Sequence, residues 1–336
     1  MLELTCTAVR DETPTVKTFS FASTAPVTFE PGQAVALGVD HGGATAWRSF
    51  SISGRAPGGG IEMTIKAQAP GGVTAGLHAG LKPGMTVTAR PPRGGFTLAL
   101  RSGAPLALVS AGSGATPLVA MLRHLAQTDP GADVLWVHAA RDEAEILFAA
   151  EIARLQQLMP RLEARVVLSR PGRGWLGFRG RVTRRLMSVM APDLAARELF
   201  CCGPAAFMSE LRRIHRAEGA PAGQFHCESF GAAMAPAPAA PPEPAGAGAA
   251  PLHSLQVNAR RLGVRAGETV LQASLRQGVI IPCGCGEGQC GTCMVSLTSG
   301  RVEMRHQGGI TAEEEAAGRI LACSSRPLSD IEIRLD

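Results

Sequence analysis

The chain has 336 residues, enough for two or three domains that each bury a core, and its 45% apolar content supports a globular protein. No run approaches the roughly 18 apolar residues of a membrane span, and Met1-Leu-Glu-Leu-Thr-Cys6 lacks the basic start and apolar centre of a signal peptide, so a cytoplasmic location is expected. The net charge is +5: residues 1–230 hold 24 Lys and Arg against 18 Asp and Glu, and residues 253–336 balance at 9 each, a surplus that suits phosphate-bearing ligands and is too dilute for nucleic acid.

Residues 1–100 carry short strand-like runs, such as Ala34–Val39 and Ile61–Ile65, punctuated by Pro-Gly and Gly-Gly turns. That pattern predicts a small antiparallel β-barrel. Over residues 101–230 it changes. Leu106–Val109 and Val134–Val137 read as buried strands, and Pro117–Leu125 and Glu145–Leu158 read as helices. Such alternation predicts an α/β domain with a parallel sheet and crossover helices. Residues 231–252, rich in Pro, Ala and Gly and without periodicity, read as a linker. A tether of this kind keeps the flanking domains at an effective concentration on the order of millimolar. After it, strands at Leu255–Asn258 and Leu262–Arg265 and a helix over Thr269–Gln277 predict a compact α+β domain at 253–336.

Two turns in the middle domain bear on chemistry. Ser110-Ala-Gly112-Ser-Gly114-Ala-Thr116-Pro117 follows a strand and opens a helix, so its glycines can bring backbone amides and a helix N-terminus against a pyrophosphate. A glycine pair there is also an ordinary tight turn. Phe200-Cys201-Cys202-Gly203-Pro204 repeats the strand–turn–helix arrangement, which strengthens the nucleotide-binding reading; Cys201 itself reads as a small buried hydrophobe.

Near the C-terminus, Cys285, Cys290 and Cys293 form C-x4-C-x2-C, and Cys323 follows thirty residues later. This is the plant-type [2Fe–2S] spacing. Glycines 284, 286, 288 and 291 allow positive φ and let N–H groups face the sulfurs. Structural zinc is the alternative, but zinc sites usually show two C-x2-C knuckles and only Cys290 and Cys293 are so spaced. Cys283 lies too close to Cys285 for the expected loop and reads as a spare thiol, with substitution as a ligand left open. Nine cysteines with this pattern fit a reducing compartment better than a disulfide framework.

With Arg48-Ser49-Phe50-Ser51, these motifs resemble the ferredoxin–NADP reductase superfamily, whose flavin barrel carries Arg-x-Tyr-Ser/Thr and whose nucleotide domain carries Gly-x-Gly-x-Thr-Pro and Cys-Gly-Pro-x-x-x-Met. The resemblance implies that Arg48 pairs with a flavin phosphate, Phe50 lies against the isoalloxazine and Ser51 hydrogen-bonds near N5. It also implies that Gly72, Val73 and Thr74 bind the FAD pyrophosphate, and that Thr116 and Cys202 bracket the nicotinamide. Phe50 departs from the usual Tyr, which keeps a stacking surface and loses a phenolic hydrogen bond; an ordinary barrel-core aromatic is its other reading. Phe225-His-Cys-Glu228-Ser-Phe230-Gly resembles the family's Glu-x-Phe-Gly, implying that Glu228 assists proton movement and Phe230 shields the ring.

The order of flavin barrel, nucleotide domain and β-grasp ferredoxin domain is similar to reductases that supply Rieske-type oxygenases and to the NADH reductases of hybrid-cluster proteins. The segment from Met304 through Arg319-Ile-Leu-Ala-Cys323-Ser-Ser resembles those serving demethylating monooxygenases of glycine betaine and related quaternary amines. The implied activity is a two-to-one electron converter, taking a hydride from NADH at FAD and releasing electrons singly through the cluster to a Rieske-type oxygenase. NADPH stays open, because Arg141 or Arg170 would suit a 2′-phosphate and no acidic ribose ligand is obvious. A zinc-stabilised interaction module without redox activity is the reading from a different class.

Overall fold

The computed structural model describes residues 1–41, 44–68, 71–228, 230, 252–258, 260–279, 281, 286, 288, 291, 293–306 and 309–335. The linker reading at 231–252 therefore lies outside the described residues except at Leu252. Among the described residues no helix is long and apolar enough to cross a membrane.

Six strands open the chain: β1 (Leu2–Thr13), β2 (Val16–Ser23), β3 (Ala34–His41), β4 (Ala44–Ala56), β5 (Gly60–Lys66) and, after helix α1 (Val73–Gly80), β6 (Thr86–Ala89). They close a barrel in the order β1-β2-β5-β4-β3-β6, each pairing antiparallel. Period-two alternation explains the filling. Phe19, Phe21, Val35, Leu37, Ile52, Ile61 and Met63 all point inward and are fully buried. Closure also leaves no unpaired edge.

The second unit runs β7 (Leu106–Ala111), α2 (Ala115–Thr128), β8 (Val134–Ala140), α3 (Ala149–Leu158), β9 (Leu162–Leu168), β10 (Phe178–Arg179), α4 (Arg184–Met190), β11 (Glu198–Cys202), α5 (Ala205–Ala217) and β12 (Phe225–Glu228). Its strands are all parallel, in the order β10-β9-β8-β7-β11-β12. Strand order reverses at β7, where such sheets open a ligand crevice at their carboxyl ends. The central strands are near-continuous apolar runs because helices cover both faces.

One boundary differs from expectation. The helix predicted from Glu145 begins at Ala149, because residues 143–145 form a 3-10 turn and Phe148 takes a left-handed conformation (φ 59°) before the helix starts. Phe148 is 5% exposed, so packing holds a conformation that its propensity disfavours.

Arg123 on α2 joins these two units. Its Nη1 donates to Ser53 O (3.1 Å) and Glu62 Oε2 (3.1 Å), and its Nε to Glu151 Oε1 (3.2 Å). A Cβ at residue 54 would lie 2.5 Å from Arg123 Nη1, so Gly54 makes room for this reach.

The C-terminal unit comprises β13 (His253–Val257), β14 (Arg260–Val264), α6 (Val270–Arg276), β15 (Met294–Ser299), β16 (Val302–Met304), α7 (Ala312–Ala316), β17 (Arg319–Leu321), β18 (Ser325–Pro327) and β19 (Ile331–Arg334). A mixed sheet of order β14-β13-β19-β15-β17 packs against α6, with β16 and β18 as a separate pair. Thr269 and Gln272 form a capping box that starts α6.

Candidate functional site

Three of the predicted site residues converge at the carboxyl end of the parallel sheet. Cys202 ends β11, Glu228 ends β12, and the two are register partners. Ser51, on β4 of the barrel, donates from Oγ to Glu228 Oε2 at 3.1 Å. Ser51 is 3% exposed and Glu228 1%, so a carboxyl group and a hydroxyl meet in a water-poor junction between the barrel and the nucleotide-binding unit. Burial pushes the Cys202 thiol well above its ordinary range, and the neighbouring Glu228 charge adds to this. Cys202 is therefore a neutral thiol near neutral pH, suited to packing against a ligand and unsuited to nucleophilic attack.

The two glycine turns pack directly on one another. A Cβ at Gly114 would fall 2.1 Å from the carbonyl oxygen of Cys202, and one at Gly203 would fall 2.9 Å from Phe207 and 3.1 Å from Ala111. Gly112 has φ 54° with open space around it. Close approach thus requires glycine at 114 and 203, and backbone conformation favours it at 112. Pro204 precedes α5 as its N-cap residue, with no side-chain cap. Thr116 is buried in the first turn of α2 and donates from Oγ1 to Ser113 O at 2.7 Å, so its hydroxyl also fastens the turn. These features fit a dinucleotide pyrophosphate against uncapped helix N-termini.

Flavin binding is tested by the barrel surface. Helix α1 opens on Gly72 without a side-chain cap, which leaves first-turn N–H groups at Val73 and Thr74 for an anion. Thr74 Oγ1 accepts from Gln68 N–H (2.9 Å) and still has its own proton to donate. Ser49 Oγ is buried and has no hydrogen-bond partner among the described residues, an orphan that a bound polar group would satisfy. Arg48 is half-buried and donates from Nη1 to Trp47 O (2.8 Å). Phe50 is half-buried and packs against the barrel core. Phe230 is 40% exposed just beyond β12. The residues present fit FAD.

For the cluster, Cys293 and Cys323 are 2% and 8% exposed. Gly288 N–H donates to Cys323 Sγ (3.1 Å) and Cys323 N–H to Cys293 Sγ (3.4 Å). Gly286, Gly288 and Gly291 all have φ between 70° and 75°. Amides turned toward thiolate sulfurs are what an iron–sulfur loop needs to hold added charge on reduction. Cys285, Cys290, Cys283 and Gly284 lie outside the described residues.

Of the two arginines proposed for a 2′-phosphate, Arg141 is paired with Glu145, which also accepts from Lys66 Nζ of the barrel at 3.2 Å. Arg170 is exposed, and its backbone N–H donates to Arg141 O (2.7 Å). Sequence reasoning missed Glu145 and Arg123. Both act between units, and no local pattern marks such contacts.

Comparison with known proteins agrees with this geometry. The oxidoreductase FAD-binding domain family matches residues 4–98, the oxidoreductase NAD-binding domain family residues 108–213, and the 2Fe-2S iron-sulfur cluster binding domain family residues 255–328. The last match sets aside the zinc module. The chain is 34% identical over 344 residues to the glycine betaine monooxygenase reductase subunit of Chromohalobacter salexigens, covering 98% of this chain and 94% of that protein. It is 33% identical to the stachydrine N-demethylase reductase subunit Stc4 of Rhizobium meliloti, covering 98% and 95%. Phthalate dioxygenase reductase shares the fold, with a TM-score of 0.60 at 22% identity over 99% of this chain and 97% of that one. A closed flavin barrel, a parallel nucleotide-binding sheet and a thiolate loop in one chain, with relatives matched from end to end, make this protein a member of the FAD- and [2Fe–2S]-dependent monooxygenase reductase family.

Proposed function

We propose that this chain takes electrons from NADH and delivers them singly to a Rieske-type oxygenase that demethylates a quaternary amine such as a betaine. The carrying observation is the end-to-end likeness to two reductase subunits whose named partners act on glycine betaine and stachydrine. Both are methylated quaternary ammonium compounds.

When bound, FAD and the cluster supply the change from a two-electron to a one-electron carrier. The chain supplies position and environment. Gly112, Gly114 and Gly203 bring backbone amides to the dinucleotide, and Thr116 fixes the first of those turns. Cys202 would offer a neutral, compact wall to a bound nicotinamide, and the buried Ser51–Glu228 pair would hold a proton near the bound flavin. Arg48, Ser49 and the α1 N-terminus at Gly72, Val73 and Thr74 hold flavin phosphates, with Phe50 and Phe230 at the ring. Cys285, Cys290, Cys293 and Cys323 ligate the iron. Neutralisation of Arg141 by Glu145 favours NADH over NADPH, since one candidate cation for a 2′-phosphate is already engaged.

Reconstitution tests the reading. Purified protein, NADH and candidate oxygenases should release formaldehyde from glycine betaine or stachydrine, with NADPH a poorer donor. Turnover with an unrelated oxygenase alone would replace the proposed partner.

A further inference from the structure

We infer that Arg90 and Arg93 form a docking clamp through which the flavin barrel holds the cluster loop in position to receive electrons. The inference rests on the electron-transfer reading above and adds the residues that bring the two redox units together.

Both arginines follow β6, and their backbone is fastened to β3. Arg90 N–H donates to Ala36 O (2.9 Å), Arg93 N–H to Ala34 O (2.9 Å), and Ala34 N–H to Arg93 O (2.8 Å). Two prolines at 91 and 92 restrict the segment between them. Both side chains then leave the barrel for the C-terminal unit. Arg90 Nη1 donates to the carbonyl oxygen of Gly291 (3.1 Å), which lies between the cluster-ligand positions 290 and 293. Arg93 forms a two-pronged pair with Glu314, Nη2 to Oε1 at 2.6 Å and Nη1 to Oε2 at 2.8 Å. Paired forks of this kind fix direction as well as distance.

The contact is shaped as well as charged. Gly291 has φ 70°, and a Cβ there would fall 2.7 Å from Gly309 O and 3.0 Å from Arg93 Cδ, so any side chain would press on the clamp. Glu314 is held from its own side too: Thr311 N–H donates to Oε2 (2.9 Å) in the capping box of α7, leaving the carboxylate aimed at Arg93. On the barrel side the Arg90 guanidinium lies over the Trp47 ring, 4.9 Å from its centroid. Trp47 directly precedes the Arg48–Ser51 motif on β4. A short run of contacts thus links the flavin strand, Arg90 and the peptide that carries the iron ligands.

Electrons balance simply across this contact. With FAD and the cluster bound, two electrons delivered as hydride from NADH, which leaves as NAD+, would cross one at a time, each reducing one ferric iron to ferrous until a one-electron acceptor such as cytochrome c takes it. Arg90 and Arg93 act through these protein contacts and are positioning residues.

The test uses the full-length holoprotein under anaerobic stopped flow. With Arg93→Glu, cluster reduction after NADH mixing should slow roughly tenfold or more, as expected for a misplaced pair of reacting groups, while flavin bleaching by NADH keeps its wild-type rate. Arg93→Glu/Glu314→Arg should recover most of the loss. Hydrogen exchange supplies a readout apart from turnover: amides of 86–95 and 309–318 should exchange faster in Arg93→Glu and return toward wild type in the double variant. Unchanged cluster reduction in Arg93→Glu, or a loss that charge reversal leaves uncorrected, overturns the clamp. Failure of NADH to reduce the cluster in the wild-type protein would instead overturn the electron-transfer reading itself.

Discussion

Ser51 and Glu228 stand 177 positions apart in sequence and share a hydrogen bond of 3.1 Å, closing the barrel against the last strand of the nucleotide-binding sheet. Neither residue is accessible to bulk water. Under the proposed function, this buried carboxyl group and hydroxyl would form a short proton path beside the flavin. Glu228→Gln keeps an acceptor for the Ser51 hydroxyl and removes the titratable group, so it should lower the rate of flavin reduction by NADH by about a hundredfold, the range typical for a lost acid–base group. Ser51→Ala should cost less, and the double variant should cost no more than Glu228→Gln, because the two act as one unit. Stopped-flow absorbance of the flavin checks this, and wild-type rates in both single variants would remove the pair from the hydride step.

The two glycines of one motif should respond differently to the same substitution. Gly114→Ala places a methyl group 2.1 Å from the Cys202 carbonyl. The two turns must then separate, with a stability cost of about 1–3 kcal/mol or more and a raised KM for NADH. Gly112→Ala meets open space and carries only the penalty of a left-handed alanine, about 1–2 kcal/mol. Denaturant midpoints, read with nucleotide titrations, should show Gly114→Ala to be the more damaging change; the reverse order would contradict the packing account.

The difference between those glycines also shows where sequence reading reaches its limit. Gly-x-Gly-x-Thr-Pro is visible as a motif, but that Gly114 serves contact with Cys202 while Gly112 serves backbone conformation depends on β11 lying beside β7, where Glu198 pairs in register with Leu106, 92 residues earlier. Barrel strands such as Gly60–Lys66 were legible because one face is buried and alternation must follow. Leu106–Ala111 and Val134–Ala140 were legible as continuous apolar runs covered on both faces. Thr269 and Gln272 mark the start of α6 by their spacing alone. Phe148 gave no such sign: its left-handed conformation is imposed by packing, and the predicted helix started four residues early as a result. The Arg123 hub was invisible for a related reason, since it joins side chains whose sequence neighbourhoods carry no trace of one another, while Ser51 and Glu228 were each assigned to the flavin by resemblance without their direct bond being legible.

His138 makes the nucleotide-binding sheet sensitive to acid. It is fully buried at the end of β8, where Leu147 N–H donates to Nε2 (3.3 Å) and Nδ1 lies 2.9 Å from Ser110 Oγ. With Nε2 accepting, the ring is neutral and carries its proton on Nδ1. Burial lowers its pKa from 6.5 to about 4. A depressed histidine means that the unfolded chain binds the proton more tightly. The stabilisation is complete above pH 6.5 and is lost as pH falls toward 4, amounting to about 3 kcal/mol. Wild-type stability measured through Trp136, whose ring stacks 6.4 Å from His138, should fall across that window. His138→Asn should be less stable at pH 7.5 and show a flatter slope between pH 6.5 and 4; a parallel slope would place the acid sensitivity elsewhere.

Cysteine replacement separates the two halves of the electron path. Cys293 and Cys323 each receive a backbone amide at sulfur, whereas Cys201 is buried in the middle of the parallel sheet and its thiol is pushed up by desolvation. Cys323→Ser and Cys290→Ser should therefore abolish the rhombic iron–sulfur resonance and the reduction of cytochrome c. NADH-to-ferricyanide activity at the flavin should stay within about twofold, as expected if hydride delivery is made at the Ser51, Cys202 and Glu228 junction and not at the cluster loop. Cys201→Ser should leave iron content and both activities intact apart from a small loss of stability, and Cys283→Ala should retain the cluster if that thiol is a bystander. Equal loss of both activities in Cys323→Ser would mean that ferricyanide draws its electrons from the iron centre, reversing the assigned order; full iron content in the same variant would give the fourth ligand position to another residue.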